Sequence, residues 1–174
     1  MIGIVIDFET NGFSGSSVLS AAAIKIFADW NTGTVEKIQT FTRHYHPIEK
    51  WNCYAQAVNK LSPSKIDALR NGATYPINFR DDPSLHEFAN DATFAVAHNA
   101  NFDSRFISLN VQWICTMKHC GGKLADAAYS RGIVVDESSL HQALYDTELC
   151  LALFEYLLRN NEINRPTLEQ ATQK

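Results

Sequence analysis

The stretch IGIVIDFET, residues 2–10, begins with an apolar, β-branched run and carries two acids, Asp7 and Glu9. Such a run predicts a buried strand from Ile2 to Ile6 that ends at Asp7. Residues two apart on a strand point to the same face, so both carboxylates should project together from its carboxyl end. The strand and its acidic end therefore define where a polar site would lie in the fold.

The residues that follow predict two more strands and then a change to helical spacing. Strands at Val18 to Trp30 and Thr34 to Tyr45, with a turn at Asn31-Thr32-Gly33, would complete a three-stranded antiparallel meander. Further along, we predict short helices at 54–58, 62–69, 84–89 and 101–109, short strands at 93–97 and 113–115, and a long helix that ends near Arg159. This order predicts an α/β fold in which helices pack on a mixed sheet.

Composition restricts the kinds of protein to consider. The 174 residues fit one domain, and 45% hydrophobic with 20% charged residues is typical of a globular protein. No apolar run is long enough for a membrane span, and the N-terminus does not resemble a signal peptide. The four cysteines lack a C-x-x-C pairing, so we expect reduced thiols in a cytoplasmic protein.

The formal net charge of −4, with no run of Lys and Arg, argues against a module that reads a DNA sequence. The same charge argues little against an enzyme that binds a short single-stranded end of a nucleic acid, where bound metal ions would neutralise the phosphates.

Two later segments add acids to the pair on the first strand. Asp103 lies where the predicted strand 93–97 passes into a helix, so it can face the same strand ends as Asp7. Asp146 lies in the long helix, and His141 precedes it by five residues, about 140° around a helix. The two can share one site only if His141 lies on a turn at the helix start, where Ser139 and Gln142 predict a capping box.

Each acidic segment also has an ordinary structural explanation. The first pair could be a solvated strand terminus. Asp103 could simply favour the positive end of a helix, with Asn99 shaping the turn before it. His141 could be a residue of the capping region. Taken together, however, four carboxylates on three elements beside a histidine are what two-metal phosphodiester hydrolysis requires. Hard divalent cations, Mg²⁺ above all, suit such oxygen ligands, and His141 suits the role of general base.

Three segments resemble motifs of one enzyme superfamily. Residues 7–12, DFETNG, resemble D-x-E-T-x-G; residues 98–103, HNANFD, resemble H-N-A-x-F-D; and residues 141–146, HQALYD, resemble H-x-A-x-x-D. In their order and spacing they resemble the DEDDh group of the DnaQ-like 3′→5′ exonucleases over residues 1–160. The resemblance implies an RNase H-like fold, with a five-stranded mixed β-sheet flanked by α-helices, and leaves residues 161–174 as a polar C-terminal tail.

The same resemblance implies a role for individual residues. Asp7, Glu9 and Asp146 would ligate two Mg²⁺ ions, which Mn²⁺ could replace, with Asp7 bridging both. Asp103 would hold a metal directly or through water, and His141 would be the base. The nucleic acid would meet Thr10, Gly12, Phe13 and Asn99, although Phe13 could instead be a core aromatic at a turn. Asn11 stands where the group commonly has a second threonine, which leaves substrate contacts at that position open.

Residues 96–103, 113–118 and 141–146 resemble the bacterial exonuclease X branch more narrowly, which implies release of nucleoside 5′-monophosphates from DNA 3′ ends, single-stranded or frayed, in DNA repair. Two alternatives remain open: an RNA 3′-end trimming exonuclease of the same group, and a catalytically idle nucleic-acid-binding domain. We expect no membrane partner and no tail that binds a polymerase or a sliding clamp.

Overall fold

The computed structural model describes residues 1–13 and 15–166, and its centre is a five-stranded sheet. The strands are β1 (Ile2–Thr10), β2 (Val18–Asp29), β3 (Thr34–His44), β4 (Phe94–Ala97) and β5 (Gln112–Cys115), in the order β3-β2-β1-β4-β5. The first three strands are antiparallel neighbours, whereas β4 is parallel to β1 and β5 to β4. The predicted meander and the mixed sheet are confirmed.

The first strand is longer than the sequence predicts. It continues past Asp7 to Thr10, because Asp7 pairs with Ala22 and Glu9 with Ser20 of the neighbouring strand. Both acids therefore lie within a paired strand, which fixes their backbone, and the register shifts only between Glu9 and Thr10.

Within the described part of the chain, seven α-helices surround the sheet: α1 (Cys53–Asn59), α2 (Pro63–Arg70), α3 (Ser84–Phe88), α4 (Ala100–Asp103), α5 (Thr116–Cys120), α6 (Leu124–Tyr129) and α7 (Ala143–Arg159). Ser62 caps α2, which overlaps the predicted helix 62–69, since its hydroxyl accepts a hydrogen bond from the backbone N–H of Lys65 at 3.1 Å. The end of α7 at Arg159 also agrees with the prediction. Helices α5 and α6, and a 3₁₀ turn at Phe79–Asp81, were not predicted.

Two helix predictions are wrong in detail. The helix expected at 101–109 is only the four-residue α4. After Ser104, the backbone N–H groups of Arg105 and Phe106 bond to the carbonyl three residues earlier instead of four, so the α-helix does not continue. The capping box at the start of α7 does not form. The Ser139 hydroxyl donates instead to Asp136 Oδ2 at 2.6 Å, and the N-cap residue Gln142 makes no side-chain capping bond.

The two faces of the sheet carry separate apolar cores. On one face α7 covers β1, β2 and β4, with Phe154 packed between Trp30 and Phe94. On the other face Ile4, Ile6 and Phe8 of β1 pack against a cluster that includes Tyr45 and Leu85. Because side chains alternate along a strand, Asp7 and Glu9 lie on the α7 face, together with Val5.

Three further predictions concern membranes, thiols and the C-terminus. None of the helices within residues 1–13 and 15–166 has the length and apolar character needed to span a membrane. All four cysteines have free thiols. Residues 167–174 of the predicted C-terminal tail lie outside the described residues, and Ile163 of the remainder is buried against the α7 core.

Candidate active site

Three elements bring the four predicted carboxylates together at the carboxyl end of β1. Asp7 and Glu9 come from β1 itself, Asp103 from the end of α4, and Asp146 from the first turn of α7. Asp103 and Asp146 are buried, with 3% and 7% of their surface exposed. Their charges act on one another, since Asp7 experiences repulsion from each of the other three.

Burial and mutual repulsion shift the acids strongly towards the neutral form. Burial raises the pKa of Asp7 well above its usual range, and the charges of Asp103, Glu9 and Asp146 raise it further. Burial, with Asp146 and Asp103, raises the pKa of Glu9 to about 8. Burial also raises the pKa of Asp103 to about 7 and that of Asp146 to about 6. A cation among them would reverse these shifts, because it stabilises every ionised form.

Two carboxylate oxygens in this cluster lack a partner. Within the described residues, Asp7 Oδ2 and Asp146 Oδ1 are buried and accept no hydrogen bond. Buried polar atoms are nearly always satisfied, and an unsatisfied one calls for an explanation such as an ion. Hard divalent cations take oxygen ligands of this kind, so the residues present fit a metal site.

His141 joins the cluster through an unusual backbone conformation. Its φ is +63°, in the left-handed region, and its backbone N–H donates to Asp146 Oδ2 at 3.1 Å. Ligand atoms of Glu9, His141 and Asp146 all lie within 4.8 Å of one another. The proximity predicted for His141 and Asp146 is therefore present, but the left-handed turn and this hydrogen bond produce it rather than a Ser139 cap.

Hydrogen bonds from buried side chains hold the loop after β1. The amide of Asn11 donates to Glu49 Oε1 and to the carbonyl of Lys50, and its oxygen accepts from the backbone of Asn52, each at 3.0 Å. The position that the motif left open is thus occupied by a residue whose side chain is used within the protein. A substrate contact through the Asn11 side chain is not favoured.

The residues predicted to contact substrate differ in which of their polar groups are already used within the protein. The hydroxyl of Thr10 donates to the carbonyl of Gly12 at 2.5 Å, which leaves its backbone as the proposed contact. A Cβ on Gly12 would lie 2.7 Å from Ser16 Oγ, so the tight loop favours glycine there. Asn99 is exposed at the N-cap of α4, and its side chain makes no capping bond.

Phe13 is 91% exposed, which rules out the core-aromatic explanation. With Glu9, Gly12 and residues of α1 it lines a cavity of about 260 Å³. Tyr54 of α1, 82% exposed, lines the same cavity and was missed by the sequence analysis. Tyr54 and Val58 are four residues apart on one helix face, but that spacing alone is equally typical of a core-facing stripe.

A second cavity, of about 420 Å³, adjoins the carboxylates on the other side of Glu9. It is lined by Glu9 and His141 together with the basic side chains of Lys60, Lys65 and His44. Glu9 thus borders both cavities, and a ligand in either of them would lie beside the acidic cluster.

The metal-free protein should lose stability as the pH rises. Carboxyl groups with folded pKa values of about 6 to 8 hold protons that the unfolded chain has already released, so the melting temperature in EDTA should fall from about pH 4 to pH 8. Added Mg²⁺ should restore it, more at pH 8 than at pH 5, by several degrees measured by circular dichroism. The Asp7→Ala variant, with one acid fewer, should show a smaller fall. A melting temperature in EDTA that rises with pH over this range would contradict the expectation.

Comparison with known proteins agrees with the motifs. No protein-family model matches the chain. Ribonuclease T of Shewanella baltica strain OS155 is 28% identical over 182 residues, which cover 89% of this chain and 80% of the relative. Ribonuclease T of Photorhabdus laumondii is 26% identical over 176 residues, covering 87% of this chain and 81% of the relative.

Solved structures share the fold. Exonuclease X in complex with 5′ overhanging duplex DNA has a TM-score of 0.71 at 23% identity, over 97% of this chain and 96% of that one. The nuclease domain of 3′hExo, a DEDDh family member bound to rAMP, has a TM-score of 0.63 at 14% identity, over 95% of this chain and 97% of that one. The RNase H-like α/β fold is confirmed, and so is the resemblance of this chain to the DnaQ-like 3′-exonucleases of the DEDDh group.

Proposed function

We propose that the chain is a metal-dependent 3′→5′ exonuclease that releases nucleoside 5′-monophosphates from DNA 3′ ends. The observation that carries this proposal is the cluster of four partly or fully buried carboxylates with His141 beside it. The acids repel one another and leave two buried oxygens unsatisfied, which is costly unless cations bind there. Hydrolysis of a phosphodiester is chemistry that such cations support.

Asp7, Glu9 and Asp146 would hold two Mg²⁺ ions, and Asp103 would be a further ligand, directly or through water. When bound, the ions lower the pKa of a water molecule and offset charge on the phosphate and on the leaving 3′-oxygen. Mn²⁺ is expected to substitute, since it takes the same oxygen ligands.

His141 is proposed to accept the proton of the attacking water. The water oxygen forms a bond to the terminal phosphorus, the bond from phosphorus to the 3′-oxygen breaks, and that oxygen takes up a proton. The imidazole is exposed and lies beside Glu9 and Asp146, so it can exchange its proton with solvent after each cycle. Its place is fixed by the backbone bond to Asp146.

The cavity beside Glu9 is proposed to hold the 3′-terminal nucleotide. Phe13 and Tyr54 present exposed aromatic faces there, and a base stacked on an aromatic ring gains about 1–3 kcal/mol. Such stacking tolerates any base, and the terminal base of a frayed or single-stranded end is free to make it. These features support a substrate with an unpaired 3′ end.

Two substrate classes remain in contention. The motif resemblance to the exonuclease X branch supports DNA and a role in repair, and the four free thiols support the cytoplasm as the site of action. Relatives named ribonuclease T support RNA 3′-end trimming as the second candidate. Recognition of the 2′-hydroxyl depends on a few local contacts, so both candidates use the same carboxylates. The idle-domain alternative is disfavoured because all four acids and His141 are present and assembled.

Digestion of end-labelled oligonucleotides tests the proposal. With Mg²⁺ or Mn²⁺, 5′-labelled single-stranded DNA should shorten one nucleotide at a time, and EDTA should stop the reaction. RNA of the same sequence should be degraded more slowly; faster degradation would establish the second candidate.

The Asp7→Ala substitution should lower the rate of nucleotide release by at least about 10³-fold while the circular dichroism spectrum stays unchanged. Asp7→Ala activity at the wild-type level would refute the assignment.

The His141→Ala variant separates a base from a metal ligand. Loss of a general base should lower kcat by about 10²- to 10⁴-fold with little change in KM or in Mn²⁺ affinity. His119→Ala, an exposed histidine on α5, is the matched control and should behave as wild type. If Mn²⁺ affinity collapses in His141→Ala, the imidazole is a ligand and the base role is wrong.

A further inference from the structure

A row of polar side chains leads away from the acidic cluster across the three antiparallel strands. Glu9 of β1 pairs with Ser20 of β2, and Ser20 pairs with His44 of β3. Residues paired in this way point to the same face of a sheet, so all three lie on the α7 face. With Lys60 and Lys65 they line the cavity of about 420 Å³ beside the cluster, which we name the lysine cavity.

Ser20 is a buried polar residue whose hydroxyl has no partner. Its surface is 3% exposed, and it lines the lysine cavity. Across residues 1–13 and 15–166 no group donates to the hydroxyl or accepts from it. Buried hydroxyl groups are nearly always hydrogen-bonded. A polar ligand in the cavity would supply the missing partner.

The lysine cavity also carries positive charge that its wall does not neutralise. Lys65 is exposed and, within the described part of the chain, makes no side-chain hydrogen bond or ion pair. The ammonium group of Lys60 donates only to a backbone carbonyl of its own helix α1. Burial lowers the pKa of His44, and the charges of Lys65 and Arg70 lower it further. Among the described residues of the wall the only acid is Glu9, which belongs to the proposed metal site.

Another part of the wall is apolar. It consists of four leucines, Leu61, Leu69, Leu140 and Leu144. Leu69 is 41% exposed, so its side chain is available to a ligand rather than used in the core. A volume of about 420 Å³ is within the usual range for a small-molecule site. The cavity thus offers hydrogen-bond donors and cations for an anionic group, together with an apolar surface for a ring.

We propose that the lysine cavity binds the nucleoside 5′-monophosphate that each catalytic cycle releases. This rests on the proposed function, which produces that nucleotide beside Glu9 and His141, and both of these residues line the cavity. A phosphomonoester carries between one and two negative charges at pH 7, more than a single phosphodiester of the strand. Its oxygens accept from Ser20, Lys60 and Lys65, and the base packs on the leucines.

Occupation of the lysine cavity has a consequence for the reaction. A nucleotide held there lies next to His141, the proposed general base, and next to Glu9, a proposed metal ligand. It therefore hinders the next cycle until it leaves, and the enzyme is inhibited by its own product. The inhibiting nucleotide occupies a place separate from the cavity that holds Phe13 and Tyr54.

Isothermal calorimetry in EDTA tests the site without metal ions. The wild-type chain should bind 2′-deoxyadenosine 5′-monophosphate, and deoxyadenosine, which lacks the phosphate, should bind at least about tenfold more weakly. Lys65→Ala should weaken nucleotide binding about tenfold and Ser20→Ala about threefold, since each removes one donor to the phosphate. Neither side chain has a partner within the protein, so the circular dichroism spectrum should stay unchanged.

Three further variants make the result specific. Lys37→Ala removes an exposed lysine near the other end of β3 and should bind the nucleotide as wild type does. Lys65→Arg keeps the charge and should recover most of the affinity. Asp7→Ala should bind at least as tightly as wild type, because the site does not use the metal ligands. A loss of affinity in Asp7→Ala would place the nucleotide in the metal site and overturn the proposal.

Two other results would also overturn it: no nucleotide binding in EDTA, or an affinity that Lys65→Ala leaves unchanged. Inorganic phosphate that binds as tightly as the nucleotide would overturn the assignment to a nucleotide, since the leucines would then contribute nothing. With Mg²⁺ present, added nucleotide should slow the shortening of labelled DNA, and Lys65→Ala should need about tenfold more of it for the same inhibition. Failure of the proposed function is recognised separately, as absence of metal-dependent 3′ shortening by the wild-type chain.

Discussion

Repulsion among four carboxylates at one end of β1 is the constraint on which the site depends. Each acid alone would be ordinary, but burial raises the pKa of all four, and repulsion from the neighbouring carboxylates raises the pKa of Asp7 and Glu9 further. A folded chain tolerates such a cluster at neutral pH by binding protons or by binding cations. The stability of the acidic end and the chemistry proposed for it therefore depend on the same ions.

The fold supplies the rigidity that holds like charges together. β1 is the central strand, paired on both sides, and α7 is fixed to it by a core in which Phe154 packs against Trp30 and Phe94. Asp146 thereby faces Asp7 from a different element. The buried side chain of Asn11 holds the loop after β1 by hydrogen bonds to Glu49 and Asn52. The exposed Phe13 therefore projects from a loop whose backbone is fixed.

Much of this arrangement can be predicted from sequence, for identifiable reasons. The strand period and the two-residue spacing place Asp7 and Glu9 on one face, and three motifs in order point to Asp103, His141 and Asp146. The position of His141 depends on a left-handed backbone that no pattern in the sequence reveals, and Ser139 suggested the wrong cause. The engagement of Glu49 by Ser17 and of Asp82 by Arg43 could not be found from sequence either, because in each pair the partner comes from a distant segment.

Direct titration with Mn²⁺ by isothermal calorimetry at pH 7 measures whether the acidic cluster binds metal ions, and how many. Two ions should bind to the wild-type chain, with release of protons from the carboxyl groups, detected as a dependence of the heat on the buffer's ionisation enthalpy. The Asp7→Ala chain should lose at least one of the two. Absence of Mn²⁺ binding by the folded wild-type protein, or binding that Asp7→Ala leaves unchanged, would contradict the assignment of the acidic cluster as the catalytic metal site.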